Sequence, residues 1–254
     1  MTRAASDRNF VRPKKMADMV ADRIRRMIAR GEIGDGQWLP TEPELMEEFG
    51  VSRPTLREAF RLLEADSLVT IRRGPPGGAR VTIPGAEAAA AQFGLLLTLS
   101  GTTIRDVYEA RMVVEPAAAR ELAQRGTAAS RKALAEELAE ARAAVETAAF
   151  GQRSVRFHRR VVELAGNQTL ATVIGMLSEI VSRHLARAYD ETPDTSAETI
   201  ARNRKALRAY EKLVELVESR NGEEAEKFWL KHMRAARPHL FRGGDETQVV
   251  DLLY

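Results

Sequence analysis

Apolar positions recur along this chain with two different periods, and the switch between them divides it. From 14 to 30, Met16, Met19, Val20, Ile24, Met27 and Ile28 fall three and four apart, the spacing of one helix face. Gly31, Gly34 and Gly36 end that segment and lead into Trp38-Leu39-Pro40. Thr41, with Glu44 three residues on, has the form of a capping box and starts a helix near Glu42. Gly50 closes it, because a left-handed C-terminal cap costs glycine least. Ser52 then caps a second helix, whose apolar positions Leu56, Ala59, Phe60 and Leu63 share one face. Its other face carries Arg53, Thr55, Arg57 and Arg61. Two short β-type runs follow at 68–72 and 79–83, with the turn Arg73-Gly74-Pro75-Pro76-Gly77-Gly78 between them.

Beyond Pro84 the pattern is helical almost throughout. A helix is expected at 86–99. Thr103 and Asp106 cap a long one that runs through Val107, Arg111, Val114 and Leu122 to Gln124. Gly126-Thr127 breaks it, and Leu134, Leu138, Ala141 and Val145 mark the next. Further helices are expected at 151–165 and 168–189, then a loop at 191–196. Helices at 198–219 and 223–236 form an antiparallel hairpin about Asn221-Gly222, and Pro238 and Gly243-Gly244 stop the regular structure. Residues 1–13 read as an arm outside the fold and 249–254 as a short apolar tail.

These elements predict a mainly α protein in two domains. Residues 1–84 form a winged helix-turn-helix: two helices joined by a tight turn, the second studded with arginine, followed by a small β-hairpin wing. Residues 85–254 form an all-α antiparallel bundle of about seven helices. A length of 254 residues suffices for two cores.

Charge sharpens this division. The net charge is only +3, yet residues 1–84 carry 15 basic and 12 acidic side chains while residues 85–254 carry 24 of each. All the positive excess therefore lies in the part expected to meet phosphates. No apolar run approaches the roughly 20 residues of a membrane span. The first 15 residues lack the apolar core of a secretion signal, and there is no cysteine, so a reducing cytoplasm is the expected location.

The motifs Leu39-Pro40-Thr41-Glu42, Gly50-Val51-Ser52-Arg53, Leu56-Arg57-Glu58-Ala59, Leu62-Leu63-Glu64 and Leu68-Val69 resemble the GntR family of bacterial transcription regulators. Pro43 stands where that family often has an arginine. The resemblance implies a homodimer on a pseudo-palindromic double-stranded DNA operator, usually as a repressor released by a small metabolite. It places Ser52, Arg53, Thr55 and Arg57 at the major groove, and Arg73 and Gly74 at the wing tip near the minor groove.

A second resemblance covers about 86–238. Tyr108-Glu109-Ala110-Arg111 with Glu115-Pro116-Ala117-Ala118, and Phe157-His158 followed by Ala165-Gly166-Asn167, are similar to the helical effector domain called FCD. The extra helix before Gly101 resembles its longer, seven-helix subgroup. FCD domains commonly offer an aspartate and three histidines to a metal, and the matching positions here are Ser154, His158, Tyr210 and His232. Serine and neutral tyrosine are poor ligands beside carboxylate and imidazole. Two histidines would leave a transition metal dependent on water or effector oxygens, so no cofactor is expected and these four residues are assigned to an effector site. His184 and His239 match no such position and are expected at the surface.

Arg111 faces the expected core side of its helix, where a guanidinium must be paired. An effector carboxylate, held bidentately, and a structural pair with Glu115 are both open. The reading is a DNA-binding regulator controlled by a small carboxylate, not an enzyme. Two alternatives are a helical sensor or scaffold whose winged domain makes protein contacts, and a metal-dependent enzyme in the bundle. No phosphate-cradling loop, nucleophile elbow or H-E-x-x-H spacing supports catalysis.

Overall fold

The computed structural model of this chain describes residues 15–72, 74, 77–189, 196–240 and 249–250. The expected arm at 1–13, the wing residue Arg73, most of the 191–196 loop and the end of the apolar tail lie outside the described residues. The chain divides between Gly85 and Ala86 into two compact units.

The first unit contains α1 (Met16–Ala29), α2 (Glu42–Phe49), α3 (Arg53–Ala65), β1 (Val69–Arg72) and β2 (Gly78–Val81). The strands pair antiparallel, Val69 opposite Val81 and Arg72 opposite Gly78, which makes the expected hairpin. Leu45, Leu56, Phe60, Leu63, Val69 and Val81 meet Val20, Ile24 and Ile28 of α1 in one core. The buried stripe of α1 is completed by Ala17 and Ala21. Met16 and Met19, expected on that stripe, are instead 55% and 52% exposed. The small alanines face inward, so the apolar face is rotated from the one that the larger residues suggest.

A third strand-like segment joins the hairpin. Trp38 bridges antiparallel to Arg80. Leu39 N donates to Ala79 O at 2.9 Å, and Val81 N donates to Gln37 O at 2.8 Å. The 36–39 segment, read from sequence as a connection, thus pairs with β2 and satisfies backbone groups that would otherwise form an open sheet edge.

The second unit holds α4 (Ala86–Leu99), α5 (Ile104–Arg125), α6 (Ala128–Ala143), α7 (Phe150–Leu164), α8 (Gln168–Tyr189), α9 (Ala197–Glu218) and α10 (Gly222–Leu240). Helix α5 is its axis, packed against α7, α8, α9 and α10, while α4 lies on α8. Thr103 starts α5 as expected: its amide and hydroxyl both donate to Asp106 Oδ2, at 2.8 and 2.7 Å. Pro238 does not stop α10, which runs on to Leu240. A proline this near a helix end removes one hydrogen bond in the last turn and leaves the rest of the ladder intact. The described part of the tail is tied down. Val250 N donates to Thr102 O at 2.9 Å, Thr98 Oγ1 donates to Val250 O at 2.6 Å, and the Val250 side chain is buried. Among the described residues, no helix is long and apolar enough to cross a membrane.

The contact of α4 with α8 depends on one glycine. A Cβ added at Gly175 would stand 2.6 Å from Ala86 Cβ, closer than carbon atoms approach without a backbone shift. Gly175→Ala should therefore destabilise the protein by about 1–3 kcal/mol through overpacking, measured by urea denaturation. A neutral result would mean that α4 rides on α8 with slack.

Candidate functional site

Two sets of side chains carry the candidate chemistry, one in each unit. The first is the exposed face of α3. Thr41 N–H and Thr41 Oγ1 both donate to Glu44 Oε2, at 2.7 and 2.8 Å, which sets the start of α2. Gly50 ends it at φ 62°, a left-handed conformation where an added Cβ would meet nothing but its own backbone strain. That turn sends the chain directly into α3, whose Leu56, Ala59, Phe60 and Leu63 are buried. The helix is thereby locked, with Arg53 and Arg57 turned outward and Thr55 half-buried between them.

Ser52 occupies the N-cap position with extended backbone, but its hydroxyl does not cap the helix. Ser52 Oγ and Thr55 Oγ1 are hydrogen-bonded to each other at 2.9 Å. Pro54 at the second helical position has no N–H to offer, and the Ser52 hydroxyl is bonded to the Thr55 side chain and not to its amide. Both hydroxyls sit at the end of a helix whose first-turn amides point the same way, a polar setting suited to an anion. Gly74 lies in the hairpin turn at φ 90°, and its neighbour Arg73 is outside the described residues. Arg53 Nε lies 3.3 Å from Glu42 Oε2, and Arg57 Nε lies 3.4 Å from Glu42 Oε1.

The second set is buried, and it is organised by Glu115. This fully buried carboxylate accepts from Arg111 Nε at 2.7 Å on one oxygen. Its other oxygen pairs with His158 Nδ1 at 2.6 Å and accepts from Trp229 Nε1 at 3.1 Å. Burial pushes its pKa up, but the Arg111 charge, His158 and the hydrogen bonds outweigh it and hold the carboxyl at about 2. An ionised carboxylate only accepts, so His158 Nδ1 carries the proton and its Nε2 faces away from Glu115.

Around this hub stands an aromatic wall. Phe157 stacks on Tyr210 with centroids 4.4 Å apart, and His232 stacks on Trp229 at 4.7 Å. The His158 and His232 rings are 5.7 Å apart. Burial, reinforced by the neighbouring His158, pushes His232 down to about 3, so its ring is neutral near pH 7. Burial likewise pushes the Tyr210 hydroxyl up to about 12, and that hydroxyl is 2.6 Å from Ser154 Oγ. Ser154, His158, Tyr210 and His232 thus lie together at the positions the resemblance gives, and Arg111 is joined to them through Glu115.

Of the two partners open for Arg111, the structural one is present. Its terminal nitrogens make no hydrogen bond among the described residues, although the side chain is only 3% exposed. The donors suit a divalent cation poorly. Two are neutral hydroxyls bonded to each other, and among the described residues no group of three His, Cys, Asp or Glu side chains could hold a metal. His184, expected at the surface, is half-buried on α8, and the His239 side chain lies outside the described set. Sequence reasoning missed Trp229. Its place three residues before His232, on the same helix face, was the available signal.

Comparison with known proteins follows the same division. Residues 16–81 match the description "Bacterial regulatory proteins, gntR family", and residues 106–235 match "FCD domain". The HTH-type transcriptional repressor NanR of Enterobacter sp. (strain 638) is 29% identical over 243 residues, covering 92% of this chain and 90% of its own. The protein of the same name from Klebsiella aerogenes is 33% identical over 175 residues, 66% of each chain. Among solved structures, Streptococcus agalactiae GntR aligns with a TM-score of 0.64 at 22% identity, over 87% of this chain and 98% of its own, a likeness of fold.

Two groups in the buried cluster should make the fold acid-labile. The folded Glu115 stays ionised down to about 2 against an ordinary 4.5, so its stabilisation is complete above pH 4.5 and is lost as pH falls toward 2. The unfolded His232 takes up a proton near 6.5 and the folded one only near 3, so stability also falls as pH drops through that interval. The melting temperature should decline from pH 7 to pH 4, and His232→Asn should flatten the upper part of that decline. Identical pH profiles for parent and variant would contradict the neutral, buried ring.

Proposed function

The chain belongs to the GntR family of bacterial regulatory proteins and carries an FCD domain, and from that premise we propose that it is a cytoplasmic transcription repressor. It binds double-stranded DNA as a homodimer and is released by a small carboxylate bound in the helical unit. The observation that carries the DNA reading is α3 itself: one face fully buried, the other presenting Arg53 and Arg57 to solvent at the end of a capped turn. A helix held this way enters a major groove with its N-terminal residues leading, and the wing tip comes near the minor groove. The sign of regulation is supported by relatives named as transcriptional repressors.

One winged unit offers few contacts, and a two-fold operator calls for a two-fold protein. The helical unit exposes Leu96, Leu99 and Val113, the last two 76% accessible, and a second copy is the natural cover for them.

Arg111 supports the effector class. Its Nε is committed to Glu115, and the terminal nitrogens left over form the fork that matches a carboxylate. His158 Nε2, neutral His232 and the Ser154–Tyr210 pair supply further hydrogen-bonding groups, with Trp229 and Phe157 as apolar walls. We read this as a metal-free effector site whose action is binding and not turnover. Effector affinity that differs between two dimer states would couple the site to DNA.

The tests are separable. On a duplex operator, Arg53→Ala or Arg57→Ala should weaken binding by about 1–3 kcal/mol, read by fluorescence anisotropy. Unchanged affinity for both variants would mean that α3 is not the reading helix. In a panel of sugar acids and dicarboxylates, an active compound should raise the parent's melting temperature and release operator, and Arg111→Lys should lose both responses. A stoichiometric transition metal in protein purified without chelator, lost on His158→Ala or His232→Ala, would replace the metal-free reading.

A further inference from the structure

Glu42 lies outside the recognition helix, yet both of its carboxylate oxygens are committed to that helix. It is the first residue of α2, placed there by the Thr41–Glu44 cap. Oε2 lies 3.3 Å from Arg53 Nε and Oε1 lies 3.4 Å from Arg57 Nε, so one carboxylate spans two arginines four residues apart. Each contact is made to Nε. The Arg57 contact is a hydrogen bond and the Arg53 contact an ion pair without one; neither guanidinium makes a further hydrogen bond or ion pair among the described residues, so the terminal nitrogens of both are uncommitted.

That arrangement does little for stability. The arginine side chains are 56% and 63% exposed, and ion pairs this open contribute little to folding. It has a larger consequence for recognition. An arginine can engage a planar acceptor side-on, through Nε and one terminal nitrogen, or end-on, through the two terminal nitrogens. With Arg57 Nε hydrogen-bonded to Glu42 and Arg53 Nε in ion-pair contact with it, the end-on fork is the one left open, and that fork fits the O6 and N7 acceptors of guanine. Glu42 also halves the net charge of the trio it forms with Arg53 and Arg57, which weakens the sequence-independent attraction to phosphates. Geometry and charge act in the same direction: less affinity for any duplex, more discrimination among them.

We propose that Glu42 is a positioning residue for sequence readout, one that fixes the Arg53 and Arg57 forks end-on and suppresses non-specific binding. This rests on the DNA-binding reading above. The test is selection from a random-core duplex library with full-length parent, Glu42→Gln and Glu42→Asp, followed by anisotropy on the selected site and on a scrambled duplex across a salt series. Both variants should melt like the parent.

Glu42→Gln should bind scrambled duplex several-fold more tightly, and its ratio of selected-site to scrambled affinity should fall about tenfold, the scale of one good bidentate base contact. Glu42→Asp keeps the charge but is one methylene too short to span both Nε atoms. It should lose guanine preference without gaining scrambled affinity. If Glu42→Asp keeps the parent's ratio, charge alone is acting and the positioning role is wrong. If Glu42→Gln loses preference at a cytosine alone while guanines are retained, Glu42 reads a base itself and the proposal again fails. If the parent selects no sequence at all, the DNA-binding reading fails, and this proposal falls with it.

Discussion

The helical unit depends on a carboxylate that could not be buried alone. Removing Glu115 from water is compensated only because three donors from three helices converge on it: Arg111 from α5, His158 from α7 and Trp229 from α10. The requirement works in both directions. Arg111 needs an anion as much as Glu115 needs cations and donors, and neither could stand among the apolar residues around them without the other. The cluster therefore fixes the mutual placement of α5, α7 and α10 more strictly than apolar packing, which tolerates many arrangements of similar volume. It also fixes which groups are left over. The terminal nitrogens of Arg111 and the Nε2 of His158 are left over because Glu115 takes Nε of the one and Nδ1 of the other.

The same logic runs through the DNA-reading unit at lower energy. Its core is small, built from α1, the two turn-linked helices and the hairpin. That core buries one face of α3 and so decides which residues point out. Glu42, Arg53 and Arg57 then form a second carboxylate-centred arrangement, this time in solvent. The difference in setting decides the difference in consequence. A buried ion pair whose partner is removed is strongly destabilising, whereas an exposed one contributes little to folding and can serve to orient its members. One protein thus sets a carboxylate among buried donors in one unit and between two exposed arginines in the other.

Much of the local structure was legible because it rests on short-range chemistry. The capping pairs Thr41–Glu44 and Thr103–Asp106, the left-handed Gly50 and the apolar face of α3 all involve residues within a few positions of one another. Each reading needed only the helical period and the known demands of a helix end. Where short-range reasoning went wrong, a competing neighbour was responsible. Ser52 was read as a capping side chain, and its hydroxyl is bonded to the Thr55 hydroxyl, while Pro54 next to it offers no amide. Met16 and Met19 were assigned inward by their spacing with the other apolar residues, and Ala17 and Ala21 occupy the face against the core. Pro238 was read as a stop, and a final helical turn carried it.

Sequence alone determined the winged-helix pattern, the helical character of the rest and the set of polar residues that belong together by spacing and resemblance. It left open whether Arg111 pairs with Glu115, since residues four apart on a helix are neighbours that need not bond. Tertiary structure decided that point, and it alone revealed Trp229 on the same carboxylate, 114 residues from Glu115. It alone placed the 36–39 segment beside β2 and tied Val250 to the turn before α5. The reason is common to all of these. Periodicity records which face of an element is apolar, but a hydrogen bond between distant residues leaves no periodic trace, and its partner becomes known only when the chain has closed upon itself.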